Sequence, residues 1–462
     1  MTIATELGAR IVAFSYDMLP PSAVHWAKVG ALDTVGVTLA GAPEPCTRIA
    51  ARVTAASPGP SLLIGTAQSA APLDAATVNG TASHALDFDD CSNTPGGHPS
   101  APILSALFPL ADTLQVLGRD LLTAYIAGFE TETRIARAVN FHHYEKGWHP
   151  TATLGAFGAA SACARLLALS PEQVAIALAL AATFASGLKS NFGTMAKPLH
   201  VGQSARNGLF AALLAAEGFT ASADALEHRQ GFFLVFNGEG NFDAERVLEG
   251  WAAPLDILEP GIAVKQYPCC GSTHPAIDCA IDLVRECGLT PDMVAHVDCW
   301  THPRRLAHTN RPDPRSALDA KFSVQYCVAR ALASGWVVLS DFEGDGYADP
   351  ANRAIMARIE AAPHLDMSMA STEHFGAEVR MHLHDGRVLS RSTDRPLGRG
   401  PGKPLPLPLL EAKFADCASR VMDAGSAARA MELIWRLDEL DDVSVLRQAL
   451  AEGCSARHPV TA

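Results

Sequence analysis

Along the first 260 positions, small and apolar residues recur at helical spacing, interrupted by Gly, Pro and short polar stretches. The clearest start signal is Ser170-Pro171-Glu172-Gln173, with a capping Ser, Pro at the first helical position and Gln three residues after the cap. It predicts a buried helix over Val174 to Leu188, ending near Gly187. That run has 15 residues and includes Thr183, Ser186 and Gly187, too short for the ~20 that cross a bilayer. Pro198 predicts another helix, through Ala205 and Leu213 to Gly218, whose small residues permit close approach of a neighbour.

After Pro260 the period changes. Val294 to Trp300 reads as a strand, and Ala377 to Leu383 alternates Val379, Met381 and Leu383 with Arg380 and His382. Asp385-Gly386 then predicts a tight hairpin into Val388 and Leu389. Helical patterns at Pro275 to Cys287 and Ser323 to Leu332 complete an α+β segment. Residues 396 to 408 are rich in Pro and Gly, and Leu409 to Ala451 is helical again. The expected fold is mainly α with an α+β insert: an all-helical domain from 1–262 and 405–462, and an α+β domain over 263–404.

Composition narrows the function. A chain of 462 residues predicts two domains, and 48% hydrophobic against 6% aromatic residues predicts a core of Ala, Leu and Val. A formal charge of -13 argues against nucleic acid, which needs a basic surface. The 11 cysteines are odd in number and scattered without CxxC pairs, and no spacing for zinc or an iron-sulfur cluster is present. The N-terminus carries Glu6 where a secretory leader would be basic and apolar. The expectation is a cytoplasmic protein with no metal, no cofactor and no membrane partner.

Four dipeptides place a base before a proline that is expected to open a helix: His98-Pro99, His149-Pro150, Lys197-Pro198 and His274-Pro275. A helix N-terminus carries free N–H groups and about +0.5 of a charge, which binds carboxylates and favours the neutral form of a nearby His or Lys. The pattern points to proton transfer on an anionic substrate. Asp87-Phe88-Asp89-Asp90 is the densest acidic run before His98. It fails as a calcium loop, because Cys91 stands at position five and the required Gly is missing. It reads either as a solvated loop or as carboxylates that orient a histidine. Gly-rich loops precede His149 and Lys197, but no GxxxxGK[ST] or GxGxxG motif stands at a strand-helix junction, which argues against a nucleotide.

Four strings, NGTASHALDFDDCSNTPGGHPS from Asn79, GWHPTATLGAFGAA from Gly147, NFGTMAKPLHVGQSARNG from Asn191 and YPCCGSTHPAID from Tyr267, resemble the MmgE/PrpD family. The likeness runs in order from about Leu7 to the C-terminal helices. It implies a homodimer with an active site between a helical domain built from both chain ends and an inserted α+β domain, working without metal or organic cofactor on a small di- or tricarboxylate. Family positions correspond to Asp87, His98, His149, Lys197, His274 and Tyr326. In this reading Asp87 orients a histidine, Lys197 or His149 is the acid or base at carbon, and His98 and His274 hold carboxylates or protonate a leaving group. Cys91 and Arg206 join Tyr326 as expected substrate contacts; Cys91 stands where the family's decarboxylases carry Thr. Members dehydrate 2-methylcitrate, decarboxylate cis-aconitate or epimerise iminodisuccinate. Dehydration is the favoured expectation, as the commonest role in the family, with decarboxylation or epimerisation as alternatives. A carboxylate-binding protein without turnover is the non-enzymatic alternative, against which the pairing of Lys197 with His149 argues.

Overall fold

The structure is a computed structural model that describes residues 1–54, 57–367 and 376–454. The last part of the expected 405–462 segment, residues 455–462, lies outside the described residues. The chain divides into two compact units, Met1–Val264 with the chain from Leu407 onward, and Lys265–Pro406. Among the described residues no helix is long and apolar enough to cross a membrane.

The first unit is a stack of helices with a core of Ala, Leu and Val. The capping box forms as expected: Gln173 N donates to Ser170 Oγ, and Ser170 N donates to Gln173 Oε1. Its helix runs Pro171–Phe184, three residues short of Gly187. Helix Pro72–His84 packs along helix Ala196–Ala216. Glycines set this crossing. A Cβ on Gly80 would lie 2.7 Å from Gly202 Cα, and one on Gly202 would lie 2.2 Å from Thr77 O. Helices Leu407–Ala418 and Ala424–Trp435 pack on helix Pro21–Gly41 within this unit. Two strands, β1 (Ser61–Leu62) and β2 (Ser69–Ala70), pair antiparallel, a hairpin too short to leave a period in the sequence.

The second unit holds β3 (Val294–Thr301), β4 (Ile359–Pro363), β5 (Ala377–Leu383) and β6 (Val388–Thr393), in the order β4-β3-β5-β6. β3 runs parallel to β4, with Val297 opposite Ile359, and antiparallel to β5, with Val297 opposite Met381. Ala377, Val379, Met381 and Leu383 bury one face of β5. That face belongs to the core that Ile277, Ile281, Tyr326 and Val328 share from helices His274–Cys287 and Val324–Ser334.

The helix starts differ from expectation at three of the four base-proline pairs. Helix Ser100–Ala111 begins after Pro99, so His98 stands one residue further out. Lys197 and His274 lie inside the first turns of their helices, which start at Ala196 and His274. The N–H that proline lacks is unused throughout the first turn, so proline is tolerated there at more than one position. Only His149 caps a helix that Pro150 opens, Pro150–Thr153.

Candidate active site

The acidic run is buried, which rules out a solvated loop, and its three carboxylates go to three different partners. Helix Pro72–His84 ends at His84, whose carbonyl accepts from Asp87 N at 3.2 Å. Asp87 has φ of 54°, a left-handed conformation that Asp tolerates better than most residues. Its Oδ1 accepts from Lys197 Nζ at 2.8 Å and lies 3.5 Å from His98 Nε2. Asp89 accepts from His84 Nδ1 at 3.0 and 2.8 Å on its two oxygens, and its Oδ2 lies 3.3 Å from His98 Nδ1. Asp90 accepts from both the Ser100 hydroxyl and its backbone N–H, so the chain's own carboxyl group caps helix Ser100–Ala111. Ser100 Oγ also bonds to Tyr125 OH.

Four histidines stand around Lys197. His98 N donates to Thr151 Oγ1 at 3.2 Å, and a Cβ on the preceding Gly97 would meet Thr151 N at 2.9 Å, so the His98 loop lies tight against helix Pro150–Thr153. His149 is tied by its N–H to Gly187 O, and its Nδ1 lies 3.2 Å from His200 Nδ1. The His84 ring packs edge-on to His98 at 4.5 Å and lies 5.7 Å from His149. Phe192 covers the cluster, 4.9 Å from the His149 ring and 5.1 Å from Lys197 Nζ.

Burial sets the charges. It pushes His149 well below the usual histidine range, and the neighbouring His84 and Lys197 push the same way, so His149 is neutral. Burial also lowers His84 to about 4. His84 ends its helix, where the dipole would favour the charged ring, but a terminus contributes only about 0.3–1 kcal/mol and desolvation wins. Burial pushes Asp89 up, but His84 and His98 outweigh it and hold the carboxylate ionised. Asp90 goes the other way, raised by burial and by Asp33, and is a neutral acid. Beneath the run, Lys413 from helix Leu407–Ala418 donates to Asp33 Oδ1 at 2.5 Å and to Phe88 O at 2.8 Å.

Residues 5–245 match the pattern of the MmgE/PrpD N-terminal domain, and residues 267–439 that of the MmgE/PrpD C-terminal domain. The chain belongs to the MmgE/PrpD family. It is 31% identical to the human protein named cis-aconitate decarboxylase, over 82% of this chain and 79% of the relative. It is 28% identical to the cis-aconitate decarboxylase of Aspergillus terreus, over 96% of this chain and 94% of the relative. The mouse protein of the same name is 29% identical over 82% of this chain and 78% of its own length.

Of the MmgE/PrpD positions expected from the sequence, Asp87, His98, His149 and Lys197 meet in this cluster. Lys197 is buried and ion-paired, where the sequence favoured a neutral amine at a helix end. Cys91 lies four residues past Asp87 and pairs through its backbone with Ala263. Arg206 is nine residues beyond Lys197 on the same helix, about half a turn round, and stands over Phe210 at 5.7 Å. It is not part of the cluster. In the second unit His274 is buried, with Nε2 3.3 Å from Cys269 O and its ring against Tyr267. Tyr326 is fully buried there, its hydroxyl bonded to Asp341 O and pushed up to about 12 by burial. His84, Asp89, His200 and Lys413 were given no role of their own by sequence reasoning, Asp89 entering it only as one carboxylate of the acidic run. Only the quoted strings around DFDD and KPLH contained a hint of the first three. His84, Asp87, Asp89 and His98 offer one donor atom each within 4.8 Å of one another, a set that could hold a metal ion. Protein partners already engage both carboxylates, Asp87 with Lys197 and Asp89 with His84.

Proposed function

We propose that this chain is a lyase that decarboxylates an unsaturated tricarboxylate of the cis-aconitate type by proton transfer. The observation that carries the reading is the convergence of Lys197 Nζ and His98 Nε2 on one buried carboxylate oxygen, Asp87 Oδ1. In such a substrate the departing carboxylate sits on a CH₂ beside the double bond. The C–C bond to it breaks, and its electron pair forms a new double bond. The old π pair moves to the carbon next to the far carboxylate, and a proton is added there. One CO₂ leaves, one proton is consumed and nothing is oxidised.

The step needs a cation where negative charge grows and an acid at the carbon that receives the proton. Lys197 holds the carboxylate that takes up the charge, His98 takes up a proton from solvent at Nε2 and passes it to that carbon, and neutral His149 hydrogen-bonds the substrate. Burial strengthens each of these interactions, because little water competes. Dehydration and epimerisation would use the same acids and bases. The relatives described above carry the decarboxylase name, and this moves the favoured reading from dehydration to decarboxylation.

Incubation with cis-aconitate, 2-methylcitrate and iminodisuccinate in D₂O, followed by proton NMR, tests the proposal. The expected result is CO₂ loss from cis-aconitate with one deuterium at the protonated carbon. Water loss from 2-methylcitrate, or inversion of iminodisuccinate, without CO₂ release from cis-aconitate would overturn it. Calorimetric binding of cis-aconitate with no product would support the non-enzymatic alternative.

A further inference from the structure

The proposed mechanism gives His84 no task, although this ring touches His98 and stands close to His149. We infer that His84 and Asp89 form a buried dyad that positions His98, His84 fixing Asp89 and Asp89 fixing the ring. The inference rests on the reading of His98 as the group that meets substrate.

The geometry is a short chain of contacts. The His84 Nδ1–H spans both Asp89 oxygens at 3.0 and 2.8 Å, which leaves that carboxylate little freedom to rotate. Asp89 Oδ2 in turn faces His98 Nδ1 at 3.3 Å, and the T-shaped contact at 4.5 Å fixes the tilt of the His98 ring. Nδ1 faces Asp89 as an ion-pair contact without a well-formed hydrogen bond, and Nε2 is the nitrogen turned to Asp87 Oδ1, the oxygen that Lys197 also holds. A carboxylate that selects one imidazole nitrogen selects the tautomer and orientation of the ring.

Another buried histidine of the same unit contrasts with it. His143, buried in the same unit, has Nδ1 bonded to Asn237 Oδ1 at 2.9 Å and Nε2 bonded to Thr153 Oγ1 at 2.8 Å. His84 Nε2 is buried with no hydrogen-bond partner among the described residues, so half of its bonding capacity is left unused there. Such an omission costs about 1–3 kcal/mol and needs a reason. Leu, Phe or Met would fill this space at lower cost unless the N–H toward Asp89 mattered. The supporting helix is itself held in place, because Gly80 and Gly202 let it cross the Lys197 helix at backbone contact. The other titratable groups facing the dyad are Asp87, Lys197, His149, Asp33 and Asp90.

The test compares His84→Phe, which keeps a ring and loses the N–H, with His84→Asn, which keeps a donor at the Nδ1 position. His84→Phe is expected to lower kcat about 10- to 100-fold, the usual loss for a partner one step removed from a reacting group, with KM within about threefold. Without His84, burial acts on Asp89 with less opposition and its carboxyl rises, so the acid limb of kcat/KM moves to higher pH. His84→Asn should restore much of both. ¹⁵N NMR of the His98 ring in the resting enzyme reads the same effect without substrate: a single Nδ1–H tautomer in wild type and His84→Asn, a mixture in His84→Phe. If the decarboxylase reading fails, this spectrum still decides the inference. An unchanged His98 spectrum and pH profile in His84→Phe would overturn it, as would equal losses in both variants with the acid limb unmoved. If His84→Phe does not fold, the isosteric Asp89→Asn carries the expectation of a lower kcat and a mixed His98 tautomer, with the acid limb set by Asp89 lost and not shifted; an unchanged His98 spectrum in that variant would overturn the inference.

Discussion

Lys197 and Asp87 are 110 residues apart in the chain and meet in an ion pair of 2.8 Å. Both are buried, Lys197 9% and Asp87 6% exposed, so each desolvated charge depends on the other. Asp87 reaches Lys197 because its left-handed φ turns the chain just after the helix that ends at His84. Strain of this kind costs about 1–3 kcal/mol and persists where the surroundings impose it.

Lys197→Met should therefore remove turnover and also lower stability. Removing one partner of a buried pair strands the other charge, at about 3–5 kcal/mol. The kcat should fall at least about 10²-fold, the lower end for one acid-base group. Adding Asp87→Asn should recover melting temperature without recovering turnover. Thermal melts and steady-state kinetics on the two variants check this; a single variant with near-normal kcat removes Lys197 from the mechanism.

The sequence exposed those parts of the fold whose signals are local. The capping box at Ser170, the alternation in β5 and the Asp385-Gly386 turn depend on neighbours within a few residues. β4 was missed because Ile359–Pro363 is an edge strand, paired among the described residues only with the distant β3, and its short run has no clear alternation. In the site, motif strings identified Asp87, His98, His149 and Lys197, but could not divide three adjacent carboxylates among Lys197, His84 and Ser100. That division depends on which helix ends beneath each one, as does the charge of each: Asp89 is ionised and Asp90 neutral although they are adjacent. Lys413 left no local signal, since its partners Asp33 and Phe88 are 380 and 325 residues away.

Turnover should survive EDTA and iron chelators. The four donors around Asp87 and Asp89 are close enough for a cation, but Lys197 and His84 already answer the two carboxylates. Activity measured before and after dialysis against chelator, with metal analysis of the protein, checks this. Loss of turnover restored by one added metal would assign those four side chains to it instead.

Lys413→Met should lower both stability and rate. Its ammonium joins Asp33 to the carbonyl of Phe88 and stands 3.9 Å from the Phe88 ring, directly between Asp87 and Asp89 in sequence. Burial already raises Asp33, so that carboxyl can take up a proton when its partner goes, which puts the cost near the low end, about 3 kcal/mol. Chemical denaturation of Lys413→Met and of Lys413→Met with Asp33→Asn is the measurement. The double variant should be the more stable of the two, and an unchanged midpoint in the single variant would refute the bracing role.

Glu132 supplies a prediction whose sign depends on pH. It lies in helix Gly118–Val139 with no exposed surface, and neither carboxyl oxygen has a hydrogen-bond partner among the described residues. Burial first, and the nearby Asp90 second, push its carboxyl well above the usual range, so the folded protein holds it neutral. A carboxyl raised in the folded state contributes stability at pH values below its unfolded pKa and loses it as pH rises, because the unfolded chain gives up the proton first. Glu132→Gln copies the shape of the neutral acid and does not titrate. The variant should match wild type most closely near pH 5 and gain on it steadily toward pH 8, by up to about 1.4 kcal/mol per pH unit for one proton. Urea melts of both proteins at pH 5, 6.5 and 8 give the difference directly. A difference that stays constant across that range would mean that Glu132 is ionised in the folded protein and finds a partner there.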